Sequence, residues 1–321
     1  MRGALAALAV VLTAAACTAD PVDPRSPPVT TPPTSTAPTD PATSTGPPVA
    51  APRFDADRAL ATVRDLATGI GPRLATRPAY GAAVALLWPR LVSSGYAVTR
   101  QSFAVPAGDS WGVPARAGRS SNVVAVPPDF DPDRPYAIVG AHLDTVAVAP
   151  GAEDNASGVA VVMELARTLD SDSDNDLPVV LVLFGGEEPR GPGDLHHFGS
   201  KHYVAQLSAQ ERRSLVAMVS LDRVGVGRTV PLYSVDGGPT EVRDQLERAG
   251  RRTGVPTTVG TNTGSDHESF ADAGLPAARV GGTSYAAYHS ADDRPDVVDR
   301  AQLARVGRLL TAWIAGLPRG R

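Results

Sequence analysis

Short runs of apolar, mostly β-branched residues restrict the possible folds of this sequence more than any other feature. The run VVLVLF at 179–184 is apolar at every position, although successive side chains of a strand point to opposite faces of a sheet. Such a strand is stable where both faces of its sheet are covered. Stretches with apolar residues at helical spacing separate these runs, and the alternation predicts a three-layer α/β domain.

The same patterns predict where the individual elements lie. A first helix is expected after Phe54, because Asp55 can cap its start, and a second is expected over 80–91. The other predicted helices are 159–169, 241–252 and 300–315. The predicted strands are 122–126, 136–142, 178–184, 217–221, 230–235 and 277–280. One folded domain is therefore expected over 54–321.

The start of the chain has the features of a secretion signal. Arg2 is followed by an apolar run over 4–12 and by three alanines at 14–16, immediately before Cys17. The apolar run is too short to span a bilayer stably. The segment resembles the lipobox of bacterial lipoproteins, except that an alanine stands three positions before the cysteine, where leucine is usual. We interpret 1–17 as a signal peptide and Cys17 as a lipidation site; an ordinary cleaved signal is the alternative.

Residues 18–53 are dominated by Pro, Thr, Ser and Ala, with too few large apolar residues to form a core. This composition predicts a disordered, semi-extended linker that holds a domain away from a surface. The mature protein is thus expected outside the cytoplasm, as a cell-membrane lipoprotein or otherwise as a secreted protein. The net charge of −4 gives no reason to expect nucleic acid as a partner, and contact with a membrane is expected through the lipid anchor only.

Histidine and carboxylate residues follow the predicted strands at the points where these strands end. His142 closes one strand in AHLDT, and Asp144, two residues later, is expected to hydrogen-bond its ring. Glu187 and Glu188 follow another strand in FGGEE, and Asp222 ends a third in SLDRVG. Open α/β sheets bind ligands at the carboxyl ends of their strands, so these side chains are expected to lie together.

Two further candidates come from loops. Asp154, in EDNASG, precedes a predicted helix, and His289, in YHSADD, follows the last predicted strand. Each has a simpler explanation when taken alone, since Asp154 can cap the helix and loop histidines are commonly solvated. The pair Glu187 and Glu188 is more informative, because adjacent carboxylates repel unless something cationic separates them. Together, in a chain with six histidines, these residues predict a metal-dependent hydrolase.

The order of the motifs resembles that of the co-catalytic zinc aminopeptidases of peptidase family M28. The motifs are AHLDT, EDNASG, GGEE, LDRVG, SDHESF and YHSADD, and the resemblance extends from about Phe54 to the end of the chain. It implies a three-layer α/β/α fold with a mixed, mostly parallel central sheet. It also implies peptide substrates and two zinc ions, although cobalt or manganese suits such ligands as well.

The resemblance further implies a role for each site residue. Asp154 would bridge the two ions, His142 would share one ion with Asp222, and Glu188 would share the other with His289.

Three more residues would act around this centre. Glu187 would be the general base that deprotonates the attacking water, and Asp144 would support His142. Tyr288 would donate a hydrogen bond to the oxyanion. These roles agree with the chemistry that a two-metal hydrolase needs.

The chain departs from the family pattern after the glutamate pair. The insertion 189–198 is rich in Gly and Pro and is expected to form a loop at the mouth of the site, where His196 and His197 provide an accessory metal site as a minor alternative. Arg223 stands where the family often has an apolar Met. Its guanidinium is expected to bind a substrate carboxylate or to pair with a local acid such as Asp266.

Other features have structural interpretations. The segment 265–267, Ser-Asp-His, resembles a family segment that supports the site loop, and no GxSxG motif favours a serine hydrolase. Packing roles are expected for Trp88, Trp111 and Trp313.

The sequence as a whole predicts an exported, zinc-dependent aminopeptidase. A carboxypeptidase or a glutaminyl cyclase on the same scaffold is the alternative within catalysis. A catalytically silent binding domain is the alternative of another class, and the complete set of ligand residues argues against it.

Overall fold

The computed structural model describes residues 53–169 and 177–317. The predicted signal peptide, Cys17 and nearly all of the predicted linker lie outside these residues. Within the described residues, no helix combines the length and the apolar character needed to cross a membrane.

Helices and strands alternate along the described chain. The helices are α1 (Ala56–Ala67), α2 (Pro78–Ser93), α3 (Gly158–Thr168), α4 (Phe198–Gln206), α5 (Ala209–Ser214), α6 (Glu241–Thr253), α7 (His267–Asp272) and α8 (Arg300–Ile314). The strands are β1 (Ala97–Val105), β2 (Gly108–Ser110), β3 (Val113–Ala115), β4 (Gly118–Val126), β5 (Tyr136–His142), β6 (Val179–Phe184), β7 (Leu215–Asp222), β8 (Val230–Ser234), β9 (Thr257–Thr261) and β10 (Ala277–Gly281). A π-helical turn (Ala152–Ser157) and a 3-10 turn (Pro295–Val297) complete them.

Eight strands form one sheet in the order β1-β4-β6-β5-β7-β10-β8-β9, and β2 and β3 form a separate hairpin. Four neighbouring pairs are parallel: β6 with β5, β5 with β7, β7 with β10, and β8 with β9. The other three pairs are antiparallel. The mixed, mostly parallel sheet that the resemblance implied is therefore confirmed.

Strand β6 shows why a run of apolar residues predicts a covered sheet. Alternate residues Val179, Leu181 and Leu183 pack into a core with α1, α2, α3, α6 and α8, whereas the residues between them pack into a second core with α4 and α7. Every residue of β6 is buried. At about 1.5–3 kcal/mol for each buried large apolar side chain, these two cores supply most of the stabilisation of the sheet.

The predicted elements coincide with observed ones to within a few residues, and Asp55 caps α1 by accepting from the backbone N–H of Asp57 at 2.9 Å. The edge strands β1 and β9 were missed. Their residues are largely exposed and mix polar with apolar side chains, because an edge strand needs no continuous apolar pattern. Helix α4 was missed because its apolar residues do not form one clear stripe.

Candidate metal centre and active site

The centre of the site lies at the carboxyl ends of β5, β6 and β7. These strands are parallel neighbours, and His142 at the end of β5 pairs in register with Phe184 at the end of β6. The chain then continues through two glycines to Glu187 and Glu188. A side chain at Gly185 would lie 2.4 Å from the hydroxyl of Tyr80, so glycine alone fits there. The shared edge of the sheet explains why residues distant in sequence meet.

Asp154 lies between two groups of potential metal ligands. Its Oδ1 is 3.1 Å from Nε2 of His142, and its Oδ2 is 3.2 Å from Nε2 of His289. His142, Asp154 and Asp222 form one group, and Asp154, Glu188 and His289 form the other; within each group the ligand atoms lie within 4.8 Å of one another. The carboxylate therefore has one oxygen for each group. Among the described residues no backbone N–H donates to it, so the helix-cap explanation for Asp154 does not apply.

The charges and contacts of these residues fit bound cations. Burial and the neighbouring Asp154 raise the pKa of Glu188 to about 8. Burial disfavours the His142 imidazolium, but the surrounding carboxylates outweigh it and hold the pKa of His142 well above its ordinary value. Nε2 of His142 and Oδ1 of Asp222 are buried and have no hydrogen-bond partner among the described residues. Nitrogen and carboxylate donors that face one another in this way match the preferences of zinc.

Glu187 lies beside both groups of ligand atoms. Its Oε2 is 3.8 Å from Nε2 of His142, and its Oε1 is 3.2 Å from Nε2 of His197. By distance alone, His142, Glu187 and Glu188 are also close enough to bind one ion. The side chain lines the cavity next to the predicted ligands, which is the place that a general base requires.

Asp144 differs from the sequence-based expectation. Its backbone carbonyl, not its carboxylate, accepts the hydrogen bond from Nδ1 of His142, at 3.1 Å. The carboxylate accepts from the backbone N–H groups of Glu187 and Glu188, at 3.1 and 3.4 Å. The alternation of side chains does not extend to Asp144, because β5 ends at His142. Asp144 thus fixes the ring of His142 and the backbone of the glutamate pair at once.

Two residues outside the predicted set hold the segment that carries Asp154. The carboxylate of Asp293 accepts from the backbone N–H groups of Glu153 and Asp154, at 2.8 and 3.1 Å. The buried guanidinium of Arg73 donates to the carbonyl oxygens of Leu143 at 2.7 Å, Pro150 at 2.6 Å and Gly151 at 2.9 Å. Burial lowers the pKa of Arg73 to about 10. The acidic pair in YHSADD was a sequence signal for Asp293; Arg73 had none.

His197 links Glu187 to a further carboxylate. The imidazole is buried at the start of α4, with Nδ1 3.0 Å from Oε2 of Glu268 and Nε2 facing Glu187. Burial disfavours its protonation, but the two carboxylates raise the pKa of His197 to about 10. The ligand atoms of His196, His197 and Glu268 also lie within 4.8 Å of one another, which is the spacing that the minor alternative of an accessory metal site requires. The contact with Glu187 could not be read from the sequence.

The outer wall of the site includes aromatic and cationic side chains. A cavity of about 290 Å³ is lined by Pro189, His196, Arg223 and Tyr288 in addition to the acidic residues. The insertion therefore forms part of the wall, as predicted. Arg223 pairs with Asp222, Nε to Oδ1 at 3.6 Å, so the suggested pairing with Asp266 is wrong. The two residues are adjacent in the chain, which gives the guanidinium a nearer acid than Asp266.

Two of the three tryptophans pack as predicted, and one does not. Trp313 is buried in the larger core and Trp88 packs against it. Trp111 lies at the tip of the β2–β3 hairpin with 54% of its surface exposed, and its ring meets the edge of His289 at a centroid distance of 4.2 Å. The packing prediction was wrong for Trp111, because the hairpin carries this residue out to the site.

The segment 262–267, which follows β9, packs against β7 beside the site. Ser265 Oγ lies 2.9 Å from Ser220 Oγ of β7, and Nε2 of His267 donates to the carbonyl oxygen of Asn262 at 2.8 Å. These contacts hold the segment against the strand that ends in Asp222. They agree with the supporting role that was predicted for 265–267.

Comparison with known proteins places this geometry in a family. The model of "Peptidase family M28" matches residues 122–314. Aminopeptidase YwaD of Bacillus subtilis is 33% identical over 57% of this chain, a match that spans 41% of the relative, so the similarity covers about two fifths of that protein.

Two solved structures share the fold at low identity. The zinc aminopeptidase BSAP from Bacillus subtilis has a TM-score of 0.72 at 20% identity and covers 81% of this chain and 94% of its own. A glutaminyl cyclase from Bacteroides thetaiotaomicron has a TM-score of 0.71 at 20% identity and covers 84% of this chain and 100% of its own. By the match of the family model over more than half its length, this chain belongs to peptidase family M28.

Proposed function

We propose that this chain is a zinc-dependent aminopeptidase that removes residues from the amino termini of peptides. The observation that carries the proposal is the position of Asp154, which directs one carboxylate oxygen to His142 and the other to His289. A carboxylate shared between two ligand groups is what a two-metal centre needs.

The two groups would each hold one zinc ion. His142 and Asp222 would complete the first site and Glu188 and His289 the second, with Asp154 between them. When bound, zinc lowers the pKa of water and polarises a carbonyl group. The chain itself must then position the substrate and move the proton.

Glu187 is the group that would move the proton. One of its oxygens is held by His197 and the other faces the ligand cluster, so the carboxylate can take a proton from the attacking water. It would then return this proton to the leaving amine. Tyr288 lies on the cavity wall beside His289, where its hydroxyl would donate a hydrogen bond to the developing oxyanion.

Mass-spectrometric analysis of peptide products tests the activity. Peptides with free amino termini and their N-acetylated forms would be incubated with the zinc-loaded protein, each with and without a chelator. Stepwise, chelator-sensitive loss of residues from the free amino termini alone supports the proposal. No product from any peptide would argue for a binding domain instead.

Substitution of the base gives a second test with its own control. Glu187→Gln is expected to lose turnover and to keep bound zinc, because an amide of nearly the same shape cannot accept the proton. Elemental analysis of the dialysed variant separates loss of base from loss of metal. Near-normal activity of this variant would contradict the role of Glu187.

Glutaminyl cyclisation is the second candidate, because the cyclase structure fits this chain as well as the aminopeptidase structure does. A peptide that begins with glutamine separates the two activities. Cyclisation with loss of ammonia supports a cyclase, and release of free glutamine supports an aminopeptidase. Loss of residues from the carboxyl end would instead indicate a carboxypeptidase.

We also propose that the protein is exported and held at the cell membrane by a lipid on Cys17. The support is the sequence of 1–17 and the Pro- and Thr-rich segment that follows it. Cys17→Ser should move the protein from the membrane fraction to the soluble fraction. Membrane association that survives this change would rule out the anchor.

A further inference from the structure

Arg223 is a cation in the cavity wall that the protein itself does not fully use. Its side chain is 16% exposed, and its guanidinium has five potential donors. Among the hydrogen bonds of the described residues, none is donated by these side-chain nitrogens. Its Nε lies 3.6 Å from Oδ1 of Asp222, so this ion pair occupies one edge of the guanidinium.

Asp222 does not need Arg223 for charge balance. The buried Arg279 lies against its other oxygen, Nη2 to Oδ2 at 3.2 Å, and also donates to the carbonyl oxygen of Gly264 at 2.6 Å. His142 lies 3.9 Å from Oδ1 of Asp222 on the metal side. The two arginines therefore differ, because Arg279 is buried in the protein and Arg223 lines the cavity.

The backbone and the neighbouring ring fix the direction of Arg223. Its φ of 56° lies in the left-handed region, which is unfavourable for a residue with a side chain. Its N–H donates to Oδ1 of Asn155 at 3.3 Å, and its carbonyl accepts from Gly282 at 2.9 Å. The guanidinium lies over the ring of Tyr288, 4.5 Å from the ring centre. Stacking on an aromatic face leaves the planar edge available for a bidentate anion.

The rest of the wall is compatible with an anion. Glu268, a carboxylate on the same wall, lies 3.0 Å from the imidazole of His197. The remaining carboxylates of the cavity are the predicted metal ligands and the base Glu187. The cavity of about 290 Å³ is at the lower limit for small-molecule sites, so it suits one or two residues of a peptide.

We infer that Arg223 forms a carboxylate-binding subsite, so that the preferred substrates carry a carboxylate next to the scissile bond. This inference rests on the proposed aminopeptidase function. The carboxylate is either the side chain of an acidic residue or the free carboxyl terminus of a very short peptide. A bidentate, charge-assisted contact of this kind changes kcat/KM by about 10- to 100-fold.

Two pairs of substrates separate the two sources of the carboxylate. The first pair is a peptide amide that begins with Asp and its isosteric partner that begins with Asn. The second pair is Leu-Ala with a free carboxyl terminus and Leu-Ala amide. The ratio of kcat/KM within each pair isolates the carboxylate from other effects on catalysis.

Each pair would be measured with the wild-type protein, Arg223→Gln, Arg223→Lys and the control Arg228→Gln. Arg228 is exposed, follows in the same loop and does not line the cavity, so its loss changes net charge only. The wild type and Arg228→Gln should prefer the charged member of one pair by about 10-fold or more. Arg223→Gln should reduce that ratio to near one, and Arg223→Lys should keep part of it.

Binding of free amino acids provides a readout without turnover. If Arg223 recognises an acidic side chain, L-aspartate should raise the thermal unfolding temperature of the zinc-loaded wild type more than L-asparagine does. Arg223→Gln should remove this difference. If the wild type cleaves the charged and the neutral member of each pair equally well, the inference is overturned and the aminopeptidase function stays intact. A preference that persists in Arg223→Gln would overturn it too. Absence of all cleavage would instead refute the function on which the inference rests.

Discussion

His267 predicts a loss of stability as the pH falls below neutrality. The side chain is fully buried, its Nε2 donates to the carbonyl oxygen of Asn262, and its Nδ1 has no hydrogen-bond partner among the described residues. Burial, followed by the charge of Arg279, lowers the pKa of His267 from 6.5 to about 4. The folded protein therefore keeps this imidazole neutral, whereas the unfolded chain protonates it near its ordinary pKa.

The direction of the effect follows from the protons that each state binds. Between the two pKa values the unfolded state binds the additional proton, so the free energy of unfolding falls as the pH falls through this window. The loss ends near pH 4, where the folded state is protonated as well. At about 1.36 kcal/mol for each pH unit, the loss at about pH 5 amounts to about 2 kcal/mol relative to about pH 7.5.

Urea unfolding of the wild type and of His267→Gln, both with chelator, measures this contribution. The glutamine amide can still donate to Asn262 but does not titrate. Between about pH 7.5 and about pH 5, the free energy of unfolding of the wild type should therefore fall by about 2 kcal/mol relative to that of His267→Gln. A difference that stays constant to within about 0.5 kcal/mol would refute the neutral, buried imidazole.

Three further outcomes are expected. Arg73→Met should lower the free energy of unfolding by about 3–5 kcal/mol in urea titrations, because it removes a donor from the carbonyl oxygens of Leu143, Pro150 and Gly151. The exposed Arg77→Met should change the free energy of unfolding by less than about 0.5 kcal/mol. His197→Leu should lower kcat by about 10- to 100-fold with little change in KM or zinc content. His196→Gln should have a smaller effect on kcat. Equal effects of the two substitutions would argue against a specific contact between His197 and Glu187. Glu188→Ala should lose zinc in elemental analysis after dialysis, and full zinc retention would contradict its role as a ligand.

The central strands and the ligand cluster could be predicted because they follow from local pattern and parallel topology. A fully apolar run such as β6 has few structural options, and its end defines where Glu187 and Glu188 lie. Contacts made by side chains from distant loops could not be predicted in this way. His197 meets Glu187 only because the insertion returns to the sheet edge at the start of α4, and Trp111 meets His289 only because a two-stranded hairpin extends to the site.

The two parts of the site therefore have different structural origins. Two of the five predicted ligands, His142 and Asp222, are the last residues of strands, where hydrogen bonds between parallel neighbours fix their separation. The cavity wall around Arg223 and the insertion comes from residues that follow the ends of the strands, outside their regular pairing. We expect a change in these connections to alter which peptides fit, while the strand ends keep His142 and Asp222 in place. An arginine at position 223 is such a change, since it adds a cation beside Asp222 while Arg279 independently balances that carboxylate. The chemistry of the centre and the choice of substrate can therefore vary separately in this fold.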